Sequence, residues 1–386
     1  MADLPDLDLP IGGLRVVELS ERGAAAYAGK LLRRLGADLV KIEPPEGDPL
    51  RRNGSRRHEA DGRTTTAAFD FFNEGKTCEV VDDPARLREL VAEADAFILD
   101  LEPRRYEAWG LDADALAGLG CGVVCAITPF GLSGPYRDYR GPEIVTSAFG
   151  GSSVGIGAPG RPPLRMPLSQ TAIQAGLVAA IAALGSSYEG DAHEDDERVD
   201  AEGARVVDIS ESDVWATVHT GTTVVSYLFS NRLRSRQGRR VLGQPYPHQL
   251  FRCSDGWIAI QASERHQHQL FIEMVGSPGW AAERRFGSRL DMNDRHADEV
   301  DAQLAPWFEA RTRQQVFEEC RARNIPAAPV RTVADVRADA DLQAAGAFER
   351  FEGASGVELT LPAPPFRFAE AELAPPGPVP SPPEGS

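Results

Sequence analysis

Between residues 15 and 43 the chain spells strand, helix, strand. The run 15–19 (RVVEL) is short and apolar, 24–35 (AAAYAGKLLRRL) repeats apolar residues at three-to-four spacing, and 38–43 (DLVKIE) is a second strand. Neighbouring strands joined through a helix pair parallel, with a right-handed crossover. The alternation continues with a strand at 77–81, a helix at 84–94, and apolar strands at 96–99 and 121–127. This predicts an α/β architecture, a Rossmann-like domain around a parallel sheet. An alanine-rich helix is expected at 168–184, a strand at 205–209 and a helix at 212–229. Residues 246–262 read as an antiparallel hairpin turning at Ser254-Asp255-Gly256, followed by helices at 297–310 and 313–322, a smaller α+β domain. The expected division is a discontinuous large domain (1–210 and 330–370), a small domain (235–329), and a proline-rich tail (371–386) read as disordered or extended.

At 386 residues the chain has room for two domains and ample core. It carries 58 acidic against 41 basic side chains, a net charge of −17. That charge argues against nucleic acid or an anionic membrane as the principal partner, because both would be repelled. The first ten residues are acidic and lack an apolar core, so no signal peptide is expected. The apolar stretch 172–184 reads as too short and too broken for a membrane span. Five scattered cysteines (Cys78, Cys121, Cys125, Cys253, Cys320) are expected to be reduced, in a cytoplasmic protein.

Common site motifs are missing. The first strand is followed by Ser20-Glu21-Arg22-Gly23-Ala24 rather than G-x-G-x-x-G, so dinucleotide binding has no support. There is neither a G-x-S-x-G elbow nor a phosphate-binding G-x-x-x-x-G-K-[ST] loop; Gly150-Gly151-Ser152-Ser153 reads as a flexible loop. His266 and His268 lack a third ligand at zinc spacing, and His193 sits in an acidic stretch (186–203) read as a solvated insertion. No metal site is expected.

Eight runs in fixed order are more informative: IGGLRVVEL (11–19), LLRRLGADLVKIE (31–43), NEGK (73–76), GLD (110–112), FGLSGPY (130–136), VDIS (207–210), SDGWIAI (254–260) and NIPAAPV (324–330). Together they resemble the class III CoA-transferases, a group that also contains formyl-CoA transferase, carnitine CoA-transferase and α-methylacyl-CoA racemase. The resemblance implies a large Rossmann-like domain built from both chain ends, a smaller domain from the middle, and an interlocked dimer. It implies acyl-CoA and a carboxylic acid as substrates, with coenzyme A bound as a ligand rather than a covalent cofactor. In the family's transferases an aspartate carboxylate attacks the thioester.

Set against that family, the chain departs from the pattern. The aspartate lies four residues before a glycine, and here that place is Ala172, four before Gly176. The histidine of the racemase branch corresponds to Pro142. Glu264 matches that branch's glutamate, and Glu143 beside Pro142 is a weak substitute, so no catalytic residue is assigned. Positions expected around CoA are Gly23, Ala24, Lys76, Asp100 and Arg140, with Arg22 at the helix N-terminus, where N–H groups favour anions, and Arg104 near Ala108; two arginines of the family pocket are Pro44 and Ala108 here. The resulting expectation is the nucleophile-lacking subunit of a hetero-oligomeric CoA-transferase, partnered by a paralogue that carries the aspartate. The alternatives are a non-catalytic acyl-CoA-binding homodimer and an isomerase or lyase with altered residues.

Overall fold

The computed structural model describes residues 9–53, 56–58, 64–192, 203–220, 227–229, 231, 236, 238–241, 243–352 and 358–381. The chain separates into two compact units: Met1–Ser153 with Arg165–Leu233 and Ala344–Ser386, and Val154–Leu164 with Arg234–Gln343.

The first unit is built on β1 (Arg15–Ser20), α1 (Ala24–Leu35), β2 (Asp38–Glu43), α2 (Ala67–Asn73), β3 (Thr77–Val80), α3 (Pro84–Ala92), β4 (Ala96–Asp100), α4 (Pro103–Ala108), α5 (Ala113–Ala117), β5 (Val123–Thr128), α6 (Glu143–Phe149), α7 (Gln170–Ala192), β6 (Arg205–Ser210) and α8 (Glu211–Trp215). These six strands form one sheet in the order β3-β2-β1-β4-β5-β6. Every pairing is parallel; Val17 of β1, for example, stands between Val40 of β2 and Phe97 of β4. This is the doubly wound order, which reverses between β1 and β4 and opens a crevice beyond the carboxyl ends of those strands. One face of the sheet packs on α1 and α7 through Val16, Leu39, Ile98 and Cys125; the other packs on α3, α4 and α5 through Leu19, Phe97, Leu99 and Val124. Alternate residues of the central strands therefore serve opposite layers, and the strands read as unbroken apolar runs.

The close approach of α1 and α7 depends on small side chains. Ala24, Ala25 and Ala28 of α1 share a core with Ala172, Ala175 and Ala179 of α7. A Cβ on Gly176 would stand 2.3 Å from the Ala24 carbonyl oxygen. The stretch expected to be too short to span a membrane belongs to a longer helix. Over Gln170–Tyr188, α7 is long and apolar enough by length and composition. In the fold its alanine face lies against α1 and the sheet.

The helix expected over 212–229 begins as α8 and continues as a π-helical turn, Ala216–Thr220; residues 221–226 lie outside those described, and 227–229 are helical. The acidic stretch 186–203 begins inside α7, and His193 lies outside the described residues. The tail is extended as far as residue 381 and packed rather than loose. Ala374 N–H donates to the Arg34 carbonyl at 2.9 Å, and Gly75 N–H to the Pro378 carbonyl at 2.9 Å. Arg51 reaches the carbonyls of Pro380 and Ser381, both at 3.1 Å, and Val379 joins a core with Phe69, Phe351 and Leu359.

The second unit holds β7 (His248–Cys253), β8 (Gly256–Gln261), α9 (Arg265–Met274), α10 (Arg289–Arg295), α11 (Ala297–Glu309), α12 (Arg313–Arg321) and β9 (Ala327–Pro329). Its antiparallel sheet, β9-β8-β7, carries Phe251, Ile258 and Ile260 against Phe271, Val300, Phe308 and Val316 of the helices. Val154–Leu164, expected in the large domain, is grouped with this unit because its backbone bonds run within it: Gly238 N–H donates to the Gly157 carbonyl.

Candidate functional site

The carboxyl edge of the parallel sheet gathers the loops after β1, β4 and β5 with the first turns of α7 and α8. Asp100, the last residue of β4, is fully buried. It accepts hydrogen bonds from the backbone N–H groups of Glu21 (2.8 Å), Arg22 (3.2 Å) and Ala25 (2.9 Å). A carboxylate at a helix N-terminus is favoured by the exposed N–H groups and the dipole. Burial nevertheless lifts its pKa to about 6 against the pull of those donors. Gly23 enters α1 at φ +100°, a left-handed conformation that a side chain would strain.

Arg22 reaches across the crevice. Its Nη1 donates to Glu102 Oε1 at 2.7 Å, and its Nη2 to the Gly141 carbonyl at 2.7 Å and to Glu211 Oε2 at 2.8 Å. Glu211 opens α8 and is buried. Burial raises its pKa to about 7 although Arg22 pulls it down; Asp100 and Glu143 add to the rise.

Beside this cluster, Glu143 at the start of α6 bonds the first turn of α7. Its Oε1 accepts from Thr171 N–H at 3.0 Å and its Oε2 from the Thr171 hydroxyl, which also meets the Thr146 hydroxyl at 3.1 Å. Leu168 and Ser169, just before α7, have φ of 66° and 50°, unusual for residues with side chains. The next residue in the turn, Ala172, is 5% exposed and lies in the alanine core with α1. A methyl group offers no lone pair or proton, so position 172 can neither attack a thioester nor transfer a proton.

Lys76, expected at the CoA pocket, is fully enclosed. Its Nζ donates to Glu18 Oε2 (2.7 Å), the Ala26 carbonyl (2.7 Å) and Asn73 Oδ1 (3.0 Å), and burial lowers its pKa to about 8. Glu18 also faces Lys41 at 3.2 Å, Lys41 faces Asp48 at 2.8 Å, and Arg51 pairs with Glu43 at 2.7 Å. Asp100, Lys76 and Arg22, expected around the ligand, thus have their polar atoms bonded within the protein. Ala24 is buried in the α1–α7 core. Arg104 and Arg140 are exposed; Arg140 is 83% exposed and lies 3.5 Å from Glu102. Ala108 is exposed and Pro44 buried. Glu264 belongs to the second unit, where it begins α9 and its backbone N–H donates to Gln267 Oε1 at 3.3 Å. Sequence reasoning missed Glu211, Glu102 and Thr171. A glutamate directly after the apolar strand Val207-Asp208-Ile209-Ser210 was the available signal for the first.

A model of CoA-transferase family III matches residues 11–384. The chain belongs to this family. It is 29% identical to a succinyl-CoA–D-citramalate CoA-transferase of Chloroflexus aurantiacus, over 86% of this chain and 80% of that one. It is 28% identical to the beta subunit of a succinyl-CoA–L-malate CoA-transferase from the same organism, over 87% and 82%. Among solved structures, a CAIB/BAIF family protein from Brucella suis superposes with a TM-score of 0.84 at 27% identity, covering 98% of this chain and 97% of that one. CoA-transferases of this family take CoA thioesters as substrates, and the α/β fold with its six-stranded parallel sheet is the family's fold.

Proposed function

We propose that the chain is the nucleophile-lacking subunit of a hetero-oligomeric acyl-CoA:carboxylate CoA-transferase, acting in the cytoplasm with a paralogue that carries the aspartate. The observation behind this reading is Ala172. It occupies the first turn of α7, where the family resemblance puts the attacking carboxylate, and its surroundings are the apolar α1–α7 core. Covalent transfer needs a carboxylate oxygen to bond the acyl carbon while the CoA thiolate leaves. Removing such a nucleophile lowers a rate by several orders of magnitude. In the paired enzyme the partner's aspartate performs this attack, and this chain supplies scaffold and rim, with Arg104 and Arg140 as the cations open to a CoA phosphate.

Two further observations favour a partner. The β-subunit name of one relative denotes an enzyme of unlike subunits. The outer face of α7 exposes Leu177, Ile181 and Tyr188, an apolar stripe of the kind that marks protein contact. An interlocked dimer of the two paralogues would cover it.

The test is native mass spectrometry of the tagged protein purified from its own host, followed by a CoA-transfer assay on what is recovered. A complex with a similar-sized chain bearing the aspartate, active only as the pair, is the expected result. Recovery solely as a homodimer that binds acyl-CoA without turnover would overturn the subunit reading and leave a binding protein.

A further inference from the structure

We infer that Arg22 is a positioning residue, whose guanidinium sets the entrance of α7 by tying the loop before α6 to the turns after β1 and β4 and to the start of α8. The inference rests on the transferase reading above, since the entrance of α7 matters to catalysis only if this chain forms part of the reacting pocket.

The ties converge on one side chain. Arg22 donates to Glu102 and Glu211 and, between them, to the carbonyl of Gly141. Gly141 is confined there: a Cβ would stand 2.5 Å from Pro129 Cβ and 2.9 Å from Thr146 Cγ2. Two residues later Glu143 begins α6 and bonds the N–H and hydroxyl of Thr171, the residue before Ala172. The path from Arg22 through Gly141 and Glu143 to the first turn of α7 therefore contains one backbone contact and one side-chain clasp, with the Thr146 hydroxyl bracing the α7 end.

Guanidinium geometry is what the arrangement uses. Three acceptors at 2.7–2.8 Å in different directions match a planar fork, which an ammonium cannot reproduce. The charges facing Arg22 are Glu102, Glu211 and Asp100, with Glu143 close to Glu211. The Nε of Arg22 and Oε1 of Glu211 are buried without a hydrogen-bond partner among the described residues. The clasp therefore has spare polar capacity facing inward.

The experiment is amide hydrogen exchange on the full chain, purified with any subunit it brings, comparing wild type with Arg22→Met and Arg22→Lys. In Arg22→Met, exchange at 143–146 and 170–173 should rise by about tenfold or more, while 256–261 in the other unit keep their rates. Arg22→Lys, which retains the charge, should fold and give a smaller rise at the same amides. In the assembled enzyme kcat should fall by about tenfold or more with KM little changed. Unchanged exchange at 143–146 and 170–173 in the folded variants overturns the inference, whatever the assay shows. Altered exchange in a protein that supports no transfer in any complex upholds the positioning geometry and overturns the functional reading instead. If Arg22→Met does not fold, Arg22→Lys alone decides on the same amides.

Discussion

Replacing Lys76 with methionine separates a structural lysine from a ligand-binding one. The substitution keeps the length and apolar stem and removes the ammonium. Three partners lose their donor together: Glu18 Oε2, the Ala26 carbonyl and Asn73 Oδ1. The buried cluster contains Lys41, Lys76 and Arg51 against Glu18, Asp48 and Glu43, so its charges balance; the variant leaves one negative charge in excess. Breaking a buried pair by removing one member costs about 3–5 kcal/mol, because the remaining ion keeps its desolvation penalty. That exceeds the roughly 2 kcal/mol gained from burying an apolar side chain of methionine's size. A net loss of about 1–3 kcal/mol follows, and more if the Ala26 and Asn73 acceptors stay unpaired. Urea unfolding followed by the fluorescence of buried Trp109 and Trp215 would read it as a lower midpoint for the first unit, with m unchanged. CoA affinity per folded molecule should stay near the wild-type value. A variant with the wild-type midpoint and abolished CoA binding would refute the assignment and restore Lys76 to the ligand.

Two smaller changes probe the crevice and the helix pair. In Glu211 the folded pKa of about 7 lies above the ordinary 4.5, so its contribution to stability is fully present below pH 4.5 and is lost as pH rises through 7. Glu211→Gln should flatten the decline in stability between pH 5 and 8 by at most about 3 kcal/mol, measured by urea titrations across that range; parallel pH profiles for variant and wild type would contradict it. Gly176→Ala places a methyl 2.3 Å from the Ala24 carbonyl oxygen. Overpacking of about 1–3 kcal/mol should outweigh the roughly 1 kcal/mol gained in helix propensity, and an unchanged or higher melting temperature would show that α1 and α7 separate freely.

The centre of the sheet was legible because its strands are buried on both faces. Runs such as Val16–Leu19 and Ala96–Leu99 need no partner information to read as strands, and the helices between them fixed their direction. What the sequence does not record is the set of partners of its charged side chains. Lys76 and Arg22 carry charges that a motif associates with phosphate, yet each is enclosed by carboxylates and carbonyls contributed by distant segments, such as Glu18, Glu102 and Glu211. No local pattern records those partners. The contacts of the tail were hidden for a related reason. Prolines remove periodicity, so the burial of Ala374 and Val379 depends on Gly75, Arg51 and the hairpin of β10 (Phe348–Glu352) and β11 (Glu358–Pro362), all remote in sequence.

The charge distribution bears on how a CoA phosphate could approach. In an ordinary doubly wound domain the crevice after the first strand receives an anion on the helix N-terminus. Here Asp100 already occupies that N-terminus with both oxygens, and Arg22 faces Glu102 and Glu211. An incoming phosphate would have to displace a carboxylate in a cluster whose acids outnumber its base. The exposed cations lie farther out, at Arg104 and Arg140, where a phosphate remains hydrated and meets less repulsion. Arg22 therefore holds loops together, while Arg104 and Arg140 stay exposed at the rim. That division accords with the proposed subunit, which would frame a thioester for a nucleophile carried by its partner.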